Sequence, residues 1–159
     1  MAGDTPTLAV VDGGMLSGFR RATPSLSQLH QAVVHLHAAH PGVQVAVAAD
    51  PALKHQLTPG DLPLLDADIE IGAIVLAPAG TSGGFHGFLA RIVEQAEGRG
   101  LRPVVVTDKA VADATLGKVR LDGGRWLFDL TGTASPADAG TAARAAQRGR
   151  RRPRKQSAR

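Results

Sequence analysis

The chain has 159 residues, no cysteine, four Phe, one Trp and no Tyr, and a formal net charge of +4. That length suits one domain with a full core. The absence of cysteine excludes disulfides and thiolate metal sites, and the few aromatics leave little for the stacking platforms that many single-strand binders use. Charge is split along the chain: residues 1–140 hold 10 Lys/Arg against 14 Asp/Glu, whereas residues 141–159 hold 8 Lys/Arg and no acid. No apolar run approaches membrane-spanning length and no secretory leader pattern opens the sequence, so a soluble cytoplasmic protein without membrane contact is expected.

In chain order, residues 7–11 read as a buried strand that ends at Asp12 and opens onto Gly13 and Gly14. Thr23-Pro24 is a helix start, and Leu26, Leu29, Val33, Leu36 and Ala39 follow at helical spacing, which predicts an amphipathic helix over 24–39. Pro41-Gly42 stops it. Val43, Val45 and Val47 lead a second strand ending at Asp50-Pro51; residues 52–57 suit one or two helical turns, and Asp61 is placed to cap a short helix through Asp66. Residues 73–77 predict a third strand. Pro78 to Gly84 is a small-residue loop, and a helix from about Phe85 carries Phe88, Leu89, Ile92, Val93 and Ala96 on one face before Gly98 and Gly100 end it. Residues 102–107 predict a fourth strand, 109–115 a short helix, and 118–121 with 125–128 a hairpin about Asp122-Gly123-Gly124. After Thr131 the chain becomes rich in Ala, Gly, Thr and Pro and then basic.

Strands alternating with helices predict an α/β fold: a single open, mainly parallel sheet flanked by helices, with a C-terminal hairpin. The predicted division is one domain over 1–131 and a disordered Arg-rich tail over 132–159. Right-handed crossovers bring the carboxyl ends of the strands to one edge, where open α/β sheets bind ligands. Asp12, Asp50 and Asp108 all fall at predicted strand ends. Carboxylates gathered there suit Mg²⁺ or Mn²⁺, which prefer oxygen ligands. Asx caps of the following turns are the alternative for each of them.

Three further signals carry chemistry. The loop Gly80-Thr81-Ser82-Gly83-Gly84 opens a helix, so its N–H groups suit a phosphate, although it matches neither the dinucleotide nor the Walker pattern. His30, His35, His37 and His40 share one predicted helix, but His30 and His37 lie about 10 Å apart along its axis, too far for one ion, so a solvated helix face is expected. The tail run Arg148-Gly149-Arg150-Arg151-Arg152-Pro153-Arg154-Lys155 suits a polyanion, nucleic acid first. Arg20 and Arg21, just beyond the first strand's turn, are candidates to grip a phosphate at the same edge. Trp126, alone in a hairpin, is expected in the core.

The order of elements, with Val11-Asp12-Gly13-Gly14-Met15-Leu16 after the first strand and Val105-Val106-Thr107-Asp108 ending the fourth, resembles a NYN domain of the PIN-like ribonuclease superfamily, regnase-type branch. The resemblance spans about residues 7–130. Met15 stands where that branch carries Asn, and His86 and Gly87 stand near its acidic pair. It implies metal-assisted phosphodiester hydrolysis, with Asp12 and Asp108 as ligands of Mg²⁺ or Mn²⁺, Asp113 as a third carboxylate, and Asp50 or His86 as further members. The implied function is an RNA-binding protein, a divalent-metal-dependent endoribonuclease in its active form, with single-stranded RNA as partner and room for a homo-oligomer or protein partner. The alternative is an inactive interaction module that docks on RNA or ribonucleoprotein through its tail; a nucleotide-binding enzyme built on the glycine loop is a third reading.

Overall fold

The computed structural model describes residues 5–108, 111 and 114–133. The predicted helix over 109–115, Asp113 and the basic tail therefore lie largely or wholly outside the described residues. Among those described, six strands form one sheet in the order β3-β2-β1-β4-β5-β6: β1 (Thr7–Asp12), β2 (Gln44–Ala49), β3 (Val75–Leu76), β4 (Arg102–Val106), β5 (Thr115–Asp122) and β6 (Arg125–Thr133). All neighbours pair in parallel except β5 and β6, the antiparallel hairpin. The predicted α/β architecture is thus the observed one.

β1 and β4 are central, which is why their sequences are continuous apolar runs rather than alternating ones. Ala9, Val10, Val11, Val104, Val105 and Val106 are fully buried. Pro103 is tolerated because it is the second residue of β4, before pairing with β5 begins at Val104. Successive side chains serve opposite faces. Ala9, Val11, Val104 and Val106 pack with α1 (Gly13–Ser17), α2 (Leu26–Ala39), α3 (Leu53–Gln56) and α4 (Leu62–Glu70). Leu8, Val10 and Val105 pack with Leu89, Val93 and Ala96 of α5 (Gly84–Gly98) on the other. Trp126 belongs to the first cluster at 2% exposure, and Phe19 leans on its ring at 5.4 Å. Burial of a Leu or Val at each such position stabilises the fold by roughly 1.5–3 kcal/mol.

Four local readings shift. The predicted start of α2 at Thr23-Pro24 moves to Ser25, whose hydroxyl accepts from the Gln28 N–H; the Leu26 N–H is taken by Asp61. Asp61 thus spends its carboxylate on α2 and makes no side-chain cap on α4. The Asp12-Gly13-Gly14 turn is the start of a short helix, α1, that periodicity could not reveal in five residues. Gly13 makes it possible: a Cβ there would press within 3.2 Å of the Ala48 carbonyl oxygen and Val47 Cγ1. Finally, the solvated face expected of the four histidines holds for exposed His37 and only in part for the other three. His30 pairs with Asp68, the His35 Nδ1 accepts the Trp126 N–H, and the His40 Nε2 meets the Phe128 carbonyl; each recruits a partner distant in sequence.

No helix among the described residues is long and apolar enough to cross a membrane.

Candidate functional site

The strand order reverses direction between β1 and β4: β1 is followed outward by β2 and β3 on one side, and β4 by the hairpin on the other. Such a switch point leaves a crevice outside the carboxyl ends of the strands. A cleft of about 460 Å³ lies there, bordered by Asp12, Gly14 and Met15 at the end of β1, Asp50, Ala52, Leu53 and Gln56 after β2, Gly83 to His86 at the start of α5, and Asp108 after β4. Three carboxylates separated by up to 96 positions in sequence therefore border one space.

Asp12 is 7% exposed and both its oxygens are engaged. Oδ1 accepts the Met15 N–H at 3.0 Å, capping α1, and Oδ2 accepts the Thr107 hydroxyl at 2.7 Å. The capping role and the place in the cleft coexist in this residue. A carboxylate has about four lone-pair positions, so two remain after these bonds. Asp50 Oδ1 accepts the Ala52 N–H at 2.9 Å in an Asx turn, and its side chain is exposed. Asp108 is exposed and makes no side-chain hydrogen bond among the described residues.

The opposite wall is the start of α5. Gly83 caps the helix in the left-handed conformation, with φ of 79°, and offers no side chain. The Gly84 N–H bonds to Thr81 and the Gly87 N–H to Gly83, so the N–H groups of Phe85 and His86 are left without partners among the described residues. This is the ordinary shortfall of a helix start, and it favours an anion. The loop is held tightly: a Cβ at Gly87 would overlap the Ser82 carbonyl oxygen. His86 Nε2 is buried with no hydrogen-bond partner among the described residues.

Carboxylate oxygens are the kind of donor Mg²⁺ and Mn²⁺ take. Mg²⁺ commonly keeps several waters and is held by one or two carboxylates together with substrate phosphates. Asp12 and Asp108 both border the cleft. Among the described residues no three His, Asp or Glu side chains form a metal-binding group, and the first turn of α5 contains no acid.

Arg20 and Arg21 do not border the cleft. Arg20, in the left-handed region at φ 59°, donates from Nη1 to the Leu121 carbonyl at 3.1 Å and lies over the Phe19 ring. Arg21 donates from Nε to Thr23. Arg20 thus ties the loop after α1 to the hairpin. The partnership between Asp12 and Thr107 was out of reach of sequence reading; its one trace is that both residues end neighbouring apolar runs.

No family model matches the chain, and no curated protein matches it.

Proposed function

We propose that this chain is an RNA-binding α/β domain of NYN/PIN-like type. Asp12 and Asp108 hold a divalent cation, Mg²⁺ or Mn²⁺, and the N–H groups that open α5 receive a phosphate of the RNA backbone. The observation that carries the reading is the cleft at the β1/β4 switch point, which brings the acidic strand ends and a free helix start to the same place. A bound cation would offset the charge of both carboxylates and phosphate, and would polarise the phosphate oxygens. The chain's own part is to position: Thr107 and the Met15 N–H fix the Asp12 carboxylate, while Gly83 and Gly87 set the loop against α5.

Binding without turnover is the form favoured here. The first turn of α5 supplies no acid, leaving two carboxylates among the described residues for the proposed ion, with Asp50 turned to its own Asx turn. Endonucleolytic hydrolysis is the second reading, in which Asp113 completes the set. Mn²⁺ binding followed by electron paramagnetic resonance, with and without single-stranded RNA, tests the first. Wild type is expected to bind Mn²⁺ more tightly with RNA present, and the double variant Asp12→Asn/Asp108→Asn to lose that gain. Equal Mn²⁺ binding by both proteins would overturn the proposal. Incubation of labelled RNA with Mn²⁺ decides turnover: cleavage abolished by Asp108→Asn establishes the nuclease form.

A further inference from the structure

The hairpin offers a second surface. β5 pairs with β4 only as far as Val106 opposite Gly117, so Lys118 to Asp122 continue past the sheet's carboxyl edge by about 16 Å at the usual rise of a strand. This is the edge that carries the cleft. Along the hairpin, Val119, Leu121, Trp126 and Phe128 pack into the cluster beneath α2. Alternation sends Lys118, Arg120, Arg125, Leu127 and Asp129 to the other face. Leu116, on that face, still packs with the α5 cluster. Further out Lys118, Arg120 and Arg125 are exposed; a groove of about 550 Å³ is lined by Lys118, Arg120, half-buried Leu127 and Asp129, with Val119 and Phe128 reaching it from the inner face, and Arg125 lies outside it.

The cations on this face make no ion pair among the described residues. Lys118 stands opposite Asp129 and Arg125 opposite Asp122 in register, yet neither pair closes to an ion pair; among the described residues the ion pair is His30 with Asp68. Asp129 instead turns its carboxylate to the Thr131 N–H and hydroxyl. Arg120 stands opposite Leu127 in register, which puts a cation and an apolar residue at neighbouring positions of this face.

We propose that this hairpin face is a track for single-stranded RNA running on from the cleft, with Lys118, Arg120 and Arg125 neutralising successive phosphates and a base lying over Leu127. The inference rests on the RNA reading of the cleft. A single strand is selected over a duplex because an apolar floor beside a guanidinium suits an unstacked base, which a helix keeps inside. Charge favours a polyanion: Lys118, Arg120 and Arg125 face outward with no ion pair among the described residues, against the two carboxylates of Asp122 and Asp129 on the same face.

Fluorescence anisotropy of the full chain with a labelled single-stranded RNA of about a dozen nucleotides tests it. Each phosphate neutralised on a single strand adds about 0.7 to the salt slope. Lys118→Ala/Arg120→Ala/Arg125→Ala is thus expected to flatten the slope by about 2. That is equivalent to a factor of about 20 in affinity between roughly 50 and 200 mM salt. Asp122→Asn, which removes a negative charge from the same surface, is expected to tighten binding, a gain that damage to the fold would not produce. An unchanged slope in the triple variant, an Asp122→Asn affinity equal to wild type, or equal binding of blunt duplex RNA would each overturn the track. Failure of the cleft reading is separate: it appears as Mn²⁺ binding indifferent to Asp12→Asn/Asp108→Asn, whatever the hairpin variants do.

Discussion

The cleft at the carboxyl edge and the outer edge of β6 treat polar groups in opposite ways. β6 is the last strand of the sheet, and alternate residues of such a strand aim N–H and C=O groups away from their partner strand. Those groups are taken up by side chains. His35 accepts the Trp126 N–H at 3.0 Å, His40 meets the Phe128 carbonyl at 3.1 Å, and Arg102 donates to the Leu130 and Thr131 carbonyls at 3.2 and 2.7 Å. These bonds occupy part of the edge on which another strand would have to pair. In the cleft, the Phe85 and His86 N–H groups and the Asp108 carboxylate have no such partners among the described residues. The edge strand has polar groups bonded within the fold, whereas the helix start and the exposed Asp108 leave theirs open among the described residues.

Substitution at Gly87 separates the two regions most sharply. A Cβ at this position would overlap the Ser82 carbonyl oxygen, a backbone atom that cannot swing aside as a side chain would. Gly87→Ala is expected to cost about 3 kcal/mol, the upper part of the range for overpacking, measured by urea denaturation. Hydrogen exchange should quicken in the first turns of α5 and leave the Trp126 and Phe128 amides as protected as before. Loss of protection in β6 as well would show that cleft and edge belong to one cooperative unit.

The second test removes a support from β6. His35→Phe fills similar space but takes away the acceptor of the Trp126 N–H, which belongs to a residue 2% exposed. A buried donor left without a partner costs about 1–3 kcal/mol, so a loss near 2 kcal/mol is expected, with partial recovery in His35→Gln, whose amide oxygen accepts. Mn²⁺ binding at the cleft should be unaffected. A stability equal to wild type would show that the imidazole is a bystander and that β6 is held by Arg102 and the hairpin alone.

Legibility in the sequence follows the same division. β1 and β4 were readable because burial on both faces forces unbroken apolar runs, and the hairpin because Asp122-Gly123-Gly124 demands left-handed glycines; Gly123 and Gly124 have φ of 60° and 80°. The gathering of Asp12, Asp50 and Asp108 at one edge followed from parallel crossovers alone. What could not be read is the set of bonds between residues far apart. Thr107 and Asp12 are 95 positions apart, His35 and Trp126 91. The α2 histidines looked like a solvated face because their periodicity is polar, and nothing local reveals that β6 lies against them. Arg20 and Arg21 looked like phosphate ligands from their place after β1, yet Arg20 serves Leu121 and Arg21 serves Thr23.

The smallest effect concerns Asp129, at the boundary between edge and track. The Thr131 hydroxyl, then the Thr131 N–H, hold its carboxyl below the usual carboxylate range, with Lys118 and His40 adding in the same direction against a desolvation that raises it. A folded-state value below the unfolded one means that folding favours the charged form. The contribution is therefore present above the unfolded value and is lost as pH falls through the folded one. The side chain is fully exposed, so water screens the effect and the titration itself is the useful measurement. Carbon-detected NMR of the Asp129 carboxyl should place its midpoint below that of an ordinary exposed Asp. Thr131→Val, which removes the hydroxyl and keeps the amide, should bring it part of the way back. With the hydroxyl gone, the carboxylate is freer to meet Lys118 across the strand, and the same variant should then weaken RNA binding slightly by withdrawing one cation from the hairpin face. A midpoint that does not move in Thr131→Val would show that the hydroxyl does not hold the carboxylate, and the Thr131 N–H would then be left as its main partner.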